Sequence, residues 1–407
     1  MVSTPGLAVA AASAAAKAAS TLTSAAAAAA ASASASRPAS IFQPRQIFEA
    51  SDDIPRAYFL GHHHAALSHM QRILSYSGLI IECRDFRIPL SSWNPLLEHA
   101  LGRTARIIVY TKRDLGPLSS DKNPGRGQSS EEVMQALTAF HKQAGHAKDV
   151  LFIGKGRHEA EGTKRLLEAI KKVAVEADNL TGLRCMVVGM PNAGKSTVLN
   201  RLRAEGMGLG KAARTGVDPG VTRKLGTPVR IMPGELHAER KYEGLGEGVF
   251  LLDTPGVFKP YVARAEDMIK MALVGCIKTE VVPSTVLADY LLYQLNLVDP
   301  GLYKDYCREP TNDVHEFLSG VGTRLGKIKK GNQVDIGICA NRIIQEYRRG
   351  GLGRFFMDSV TPETFAAAVQ AAKDPELSLR QSRKAEKEEA RKMKYAAKKA
   401  AAAQVEP

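Results

Sequence analysis

Hydrophobic positions along the chain gather into short, nearly continuous runs separated by amphipathic stretches. The runs are Leu79-Ile80-Ile81-Glu82-Cys83, Ala105-Arg106-Ile107-Ile108-Val109-Tyr110, Val150-Leu151-Phe152-Ile153, Arg184-Cys185-Met186-Val187-Val188 and Val249-Phe250-Leu251-Leu252. Such runs are what a strand buried on both faces needs. Between them, helical periodicity covers 65–76, 131–143, 163–175 and 195–203. Strand and helix alternating at this spacing predict an α/β fold, a mostly parallel sheet with helices on both faces.

After about residue 260 the strand signals stop. Residues 264–275, 285–297, 312–319, 334–349 and 360–371 read as helices, which predicts a smaller all-α C-terminal domain. The segment 116–130 is dense in Gly, Pro, Ser and Asn and reads as a long exposed loop. Residues 1 to about 48 contain no Asp or Glu in an Ala/Ser background with Lys17, Arg37 and Arg45, the composition of an organelle-targeting presequence or of a plain low-complexity tail. Arg380 to Lys399 is rich in Lys and Arg with no Pro or Gly and reads as a solvated basic helix. The expected organisation is a disordered presequence over 1–48, an α/β domain over 49–260, a helical domain over 261–372 and a basic tail over 373–407.

Composition adds a partner class. The 407 residues carry a formal net charge of +14, which favours a polyanion: nucleic acid first, an anionic membrane second. Hydrophobic content of 44% is enough for an ordinary core. The five cysteines form no C-x-x-C pair, which argues against a zinc site or a disulfide framework. No uninterrupted apolar run is long enough to span a bilayer; the nearest, Leu22 to Ala35, is alanine and serine.

The chemistry begins after the fourth run. Gly189-Met190-Pro191-Asn192-Ala193-Gly194-Lys195-Ser196-Thr197 follows a strand and opens a helix, matching G-x-x-x-x-G-K-[ST] in its required setting. Gly189 and Gly194 let backbone N–H groups turn toward phosphate oxygens at a helix N-terminus. Lys195 is expected on the β- and γ-phosphates and the Ser196 hydroxyl on Mg²⁺. Leu251-Leu252-Asp253-Thr254-Pro255-Gly256 ends the fifth run. An acid there holds Mg²⁺ through water, and the Gly256 N–H senses the γ-phosphate. Between the two lies Asp218-Pro219-Gly220-Val221-Thr222; Thr222 is expected to complete the Mg²⁺ shell, with Thr215 as the alternative and a plain turn as the bland reading.

Thr111-Lys112-Arg113-Asp114 follows the second run and resembles the Asn/Thr-Lys-x-Asp motif of GTPases. The Asp114 carboxylate can accept from both the ring N–H and the exocyclic amine of guanine. Adenine has no such donor pair, and discrimination of this kind reaches about 10⁴–10⁵-fold. The Lys112 stem would lie along the base. In an ordinary GTPase this motif follows the phosphate loop; here it precedes it. A sheet tolerates that order, because a site needs adjacent strand ends and not a particular chain sequence. The chain then leaves Gly256 directly into the C-terminal helices, a route for nucleotide state to reach them.

In this order the motifs resemble the YlqF-type circularly permuted GTPases, most closely the mitochondrial ribosome-associated GTPase 1 branch. Tyr58-Phe59-Leu60-Gly61-His62 is similar to that family's Trp-Phe-Pro-Gly-His motif, with Leu60 in place of proline. Glu82 to Pro89 with Asn94-Pro95 resembles its Asp-Ala-Arg-x-Pro and Asn-Pro signature, with Phe86 in place of alanine. Gly326-Lys327 through Arg349-Gly350-Gly351-Leu352-Gly353-Arg354 resembles its helical ending. The third base-contact motif is poorly marked and by position falls near Ile153-Gly154-Lys155-Gly156.

The resemblance implies GTP hydrolysis, assembly of the mitochondrial large ribosomal subunit, rRNA binding and release on hydrolysis, in the matrix or on the matrix face of the inner membrane. It also implies roles for single residues. Val257 stands where many GTPases carry a water-positioning glutamine, and the family pattern points to His62 instead; His63, His64 and His69 beside it leave a weak metal patch as the alternative. Asn192 resembles the potassium-coordinating asparagine of cation-activated GTPases, or else caps its loop. Lys327, Lys329, Lys330, Arg348, Arg349 and Arg354 are candidate phosphate contacts to RNA, the bland reading being a charged face kept soluble. A membrane-associated regulatory GTPase and a nucleolar or chloroplast ribosome-assembly GTPase remain the competing readings.

Overall fold

The five apolar runs are strands β1 (Leu79–Asp85), β2 (Arg106–Thr111), β3 (Asp149–Ile153), β4 (Leu183–Gly189) and β6 (Val249–Asp253), joined by a sixth, β5 (Val229–Met232). They form one sheet in the order β3-β2-β1-β4-β6-β5. Every pairing is parallel except β5 with β6. The computed structural model describes residues 42–51, 53–56, 70–102, 104–117, 127–145, 147–213, 215–216, 226–235, 243–259, 261–262, 264–329 and 333–374.

β5 carries no clear sequence signal. It has four residues, sits at the sheet edge and breaks register between Arg230 and Met232. A strand held by one neighbour needs neither length nor strict alternation. The functional consequence of the sheet order is at the other end of the strands. The register sets Asp85 beside Thr111, Cys83 beside Gly189 and Val187 beside Asp253. The loops after β1, β2, β4 and β6 therefore leave from one edge, the carboxyl edge where open α/β sheets bind ligands.

Helices α1 (Pro95–Leu101), α2 (Ser130–Ala144), α3 (Arg157–Ala177) and α4 (Lys195–Met207) connect the strands. α1 was not legible in the sequence because its seven residues are too few for a periodic pattern. It starts with Pro95, whose fixed φ suits the first helical turn. α2 starts on a capping box in which Ser129 and Glu132 satisfy each other's backbone N–H groups.

Beyond β6 come α5 (Ala265–Leu273), α6 (Ser284–Val298), α7 (Val314–Leu325), α8 (Ile336–Arg349) and α9 (Pro362–Lys373). The region is not wholly helical. Two-residue strands β7 (Ile328–Lys329) and β8 (Gln333–Val334) pair antiparallel between α7 and α8, too short to mark the sequence.

Sheet and C-terminal helices share one core. A single apolar cluster contains Ile81, Val187 and Leu251 of the sheet and Leu287, Leu291 and Ile343 of the helices. The described residues from 44 to 374 fall in one compact unit. Phe86 shows why its position departs from the family alanine. Its ring is fully buried and meets Phe356 edge-on at 4.9 Å, so the strand end packs directly on the C-terminal segment. The folded chain also starts before residue 49. Arg45 pairs with Asp289 of α6, and the Phe48 ring lies 5.0 Å from that of Tyr290. Among the described residues, no helix is long and apolar enough to cross a membrane.

Candidate nucleotide-binding site

The carboxyl edge of the sheet opens into a cleft of about 580 Å³, within the usual range for a small-ligand site. Thr111, Lys112 and Asp114 line one part of it; Pro191, Asn192, Gly194, Lys195, Ser196 and Thr197 line another. Gly256 and Thr215 reach it as well. The two motifs that the sequence places far apart thus face one cavity. Arg113, Ala193 and Asp253 are not on its wall.

The phosphate loop is built as its glycine spacing requires. Asn192 and Gly194 take left-handed backbone with φ of 56° and 84°. Gly194 then caps α4, whose N-terminus faces the cleft. The Lys195 ammonium is buried and donates to the carbonyls of Met190 at 2.8 Å and Gly189 at 3.2 Å. Burial pushes its pKa down, with Asp253 opposing. An anion placed beside it would favour its charged form.

The Ser196 hydroxyl donates to Asp253 Oδ2 at 2.7 Å. A hydroxyl and a carboxylate so paired are hard oxygen donors of the kind Mg²⁺ selects, so these residues fit that ion. After Asp253 the chain is locked. Thr254 Oγ1 donates to Val187 O at 2.7 Å, and the Val257 N–H donates to Gly189 O at 3.2 Å. Asn94 Nδ2 donates to Val257 O at 2.8 Å, which gives the Asn94-Pro95 signature a physical role. Gly256 lies against Pro191 so closely that a Cβ would come within 2.5 Å of its Cγ and N. Val257 is fully buried.

At the other end, the Asp114 carboxylate accepts the Lys155 N–H at 2.9 Å. Gly154 packs on Asp114, where a Cβ would meet its backbone nitrogen at 2.8 Å. Gly154 and Lys155 line the cleft, at the position of the poorly marked third motif. Lys112 has left-handed backbone, φ 59°, and its Nζ bonds Asp85 Oδ2 at 2.7 Å. Asp85 is also held by Arg87, through Nε at 3.0 Å and Nη2 at 2.8 Å. Burial pushes the Asp85 carboxyl up, but the Arg87 and Lys112 cations outweigh it and hold the carboxyl well below the usual range.

The C-terminal helices form the remaining wall, which sequence reasoning did not anticipate. Four successive carbonyls at and just beyond the end of α5, Ala272 to Gly275, each accept from a side chain distant in the chain. Arg348 of α8 donates to Ala272 O at 2.7 Å and Leu273 O at 2.9 Å. Arg87 Nη2 donates to Val274 O at 3.1 Å, and Asn192 Nδ2 to Gly275 O at 2.7 Å. Base-reading end, phosphate loop and α8 therefore meet at one helix terminus. Gln345, Arg348 and Arg349 line the cleft, where Arg348 is bound to the α5 terminus. The only signal available was the Arg348-Arg349-Gly350-Gly351 run, which reads equally as a basic helix end. His62, Thr222, Lys330, residues 1–41 and the tail from 375 lie outside the described residues.

The chain is similar to several known proteins. Residues 184–305 match the model of the 50S ribosome-binding GTPase family. Mitochondrial GTPase 1 of Schizosaccharomyces pombe is 35% identical over 323 residues, covering 78% of this chain and 94% of that one. Mitochondrial ribosome-associated GTPase 1 of Xenopus tropicalis is 30% identical over 332 residues, covering 77% and 98%. The GNP-bound crystal structure of YlqF from T. maritima is similar at a TM-score of 0.45 and 21% identity, covering 72% and 98%. The phosphate loop, the displaced base-reading motif and this coverage lead to one conclusion: the chain belongs to the mitochondrial GTPase 1 family of circularly permuted P-loop GTPases, and it hydrolyses GTP.

Proposed function

We propose that this GTPase is an assembly factor for the mitochondrial large ribosomal subunit that binds rRNA with GTP bound and leaves after hydrolysis. The observation that carries it is the shared cleft: Asp114 and Lys195 line one cavity whose far wall is the C-terminal helix α8. A nucleotide there would touch the region expected to hold RNA, so binding at either place would bias the other. The net charge of +14 supports a polyanionic partner. The relatives' names support a mitochondrial, ribosome-associated setting.

The residue roles follow the chemistry of the cleft. Asp114 accepts from guanine, and the Lys112 stem covers the base. The loop from Pro191 to Thr197 cradles the phosphates, with Lys195 on the β- and γ-oxygens. Ser196, Asp253 and Thr222 would hold Mg²⁺, which neutralises charge on the phosphates. Gly256 offers its N–H to the γ-phosphate. Asn192 would supply an amide oxygen to K⁺. His62 orients the attacking water.

One experiment tests the function. Organelle lysate is sedimented with a non-hydrolysable GTP analogue or with GDP, and RNA crosslinked to the protein is sequenced. Comigration with the large subunit in the analogue, with large-subunit rRNA attached, is expected. Migration away from ribosomes together with binding to anionic liposomes would replace this reading by the membrane-associated one.

A further inference from the structure

The last turn of α8 is pinned on both sides of the cleft. On the phosphate-loop side, Arg348 holds the end of α5, whose Gly275 carbonyl receives Asn192. On the base-reading side, Gly350 abuts Leu115, the neighbour of Asp114: a Cβ on Gly350 would lie 3.0 Å from Leu115 Cδ2. Arg349 stands between these two anchors and lines the cleft, as does Gln345 one turn earlier. Residues four apart share a helix face, so both side chains belong to one wall. Neither has a hydrogen bond or ion pair among the described residues. Of the other cations of the cleft, Lys155 is bonded through its backbone N–H to Asp114, and Lys195 holds the Gly189 and Met190 carbonyls. Arg87 and Lys112 serve Asp85, Arg201 bonds Glu159 and the Gly154 carbonyl, and Arg348 serves α5.

We propose that Arg349, with Gln345 beside it, is a nucleotide-contacting residue that the helical region supplies to the site, facing the ribose and α-phosphate. The proposal rests on reading the cleft as the guanine-nucleotide site. The position follows from the cleft lining and its anchors: Gly350 abuts Leu115 at the base end, Arg348 binds the α5 terminus beside the Gly275 carbonyl that receives Asn192 of the phosphate loop, and Arg349 lines the cleft between those ends. An arginine suits a phosphate oxygen through charge-assisted hydrogen bonds. A structural alternative is that Arg349 only offsets the negative end of the α8 dipole. That role changes stability, not nucleotide affinity.

The test uses the full chain and fluorescent GDP and GTP analogues. Arg349→Ala should weaken both by about tenfold, the loss of one charge-assisted contact. The factor should be equal for the two nucleotides, because the α-phosphate is common to them. Arg349→Lys should recover part of the affinity, and thermal melting should stay at the wild-type value. Unchanged affinity in Arg349→Ala, or a loss confined to GTP, would overturn the assignment. Wild-type protein that binds neither nucleotide, or an Lys195→Ala variant that binds both normally, would instead remove the site reading itself.

Discussion

The Thr111 hydroxyl donates to the carbonyl of Ala193 at 2.9 Å, joining the end of the base-reading strand to the phosphate loop across 82 positions of chain. The same oxygen lies 3.1 Å from the Arg84 carbonyl. Gly194 beside it leaves room for the threonine methyl, which an added Cβ would approach to 3.2 Å. Threonine in place of asparagine thus still couples the two halves of the site.

Thr111→Val keeps the shape and removes the donor. The buried carbonyl of Ala193 then loses its partner, at a cost of about 1–3 kcal/mol. Guanine-nucleotide affinity should fall while the fold persists, as read by nucleotide titration and a thermal melt. Wild-type affinity in this variant would mean the bond does not position the loop.

Asp114→Asn exchanges an acceptor for a donor opposite the base amine. Preference should pass from guanosine to xanthosine nucleotides, measured by competition. Because Asp114 Oδ1 also accepts the Lys155 N–H, the asparagine should keep its oxygen toward Lys155 and its amide toward the ligand. Unaltered GTP affinity would remove the base-reading assignment.

Gly256→Ala places a methyl where Pro191 already stands, within 2.5 Å. The loop after β6 must then move away from the phosphate loop. Hydrolysis should drop about 100-fold, the penalty for a misplacement near 1 Å, with GDP affinity nearly retained. Single-turnover rates beside GDP titrations read both quantities.

Asp85→Asn breaks a buried ion pair and leaves Arg87, only 2% exposed, without its anion. The loss should be about 3–5 kcal/mol near neutral pH. Because the native pKa of Asp85 is depressed, its contribution is complete above the ordinary carboxylate range and is lost as pH falls toward the native value. The stability gap between wild type and variant should therefore narrow from about pH 5 downward. Denaturant midpoints across that range provide the check; a gap that widens in acid contradicts the pairing.

His62→Ala should slow turnover on ribosomal particles by about 10²–10⁴-fold, the usual worth of a positioned acid or base, with little change in GTP affinity. Unchanged turnover would assign water positioning to another group.

What the sequence by itself determined is local. Strand positions follow from runs of apolar residues, and the phosphate loop from glycines and a lysine at fixed spacing. The proposed guanine contact is one carboxylate after one strand, and the permuted order is visible because each motif keeps its own strand. Tertiary structure alone decided what surrounds them. The hold of Asp85 on Lys112, the approach of Gly256 to Pro191, and the binding of four successive carbonyls, Ala272 to Gly275, by Arg87, Asn192 and Arg348 all join groups distant in the chain. No pattern within a segment encodes such contacts, because each exists only after the shared core has brought sheet and C-terminal helices together. For the same reason α8 read as a basic helix end, while in the folded chain it walls the cleft.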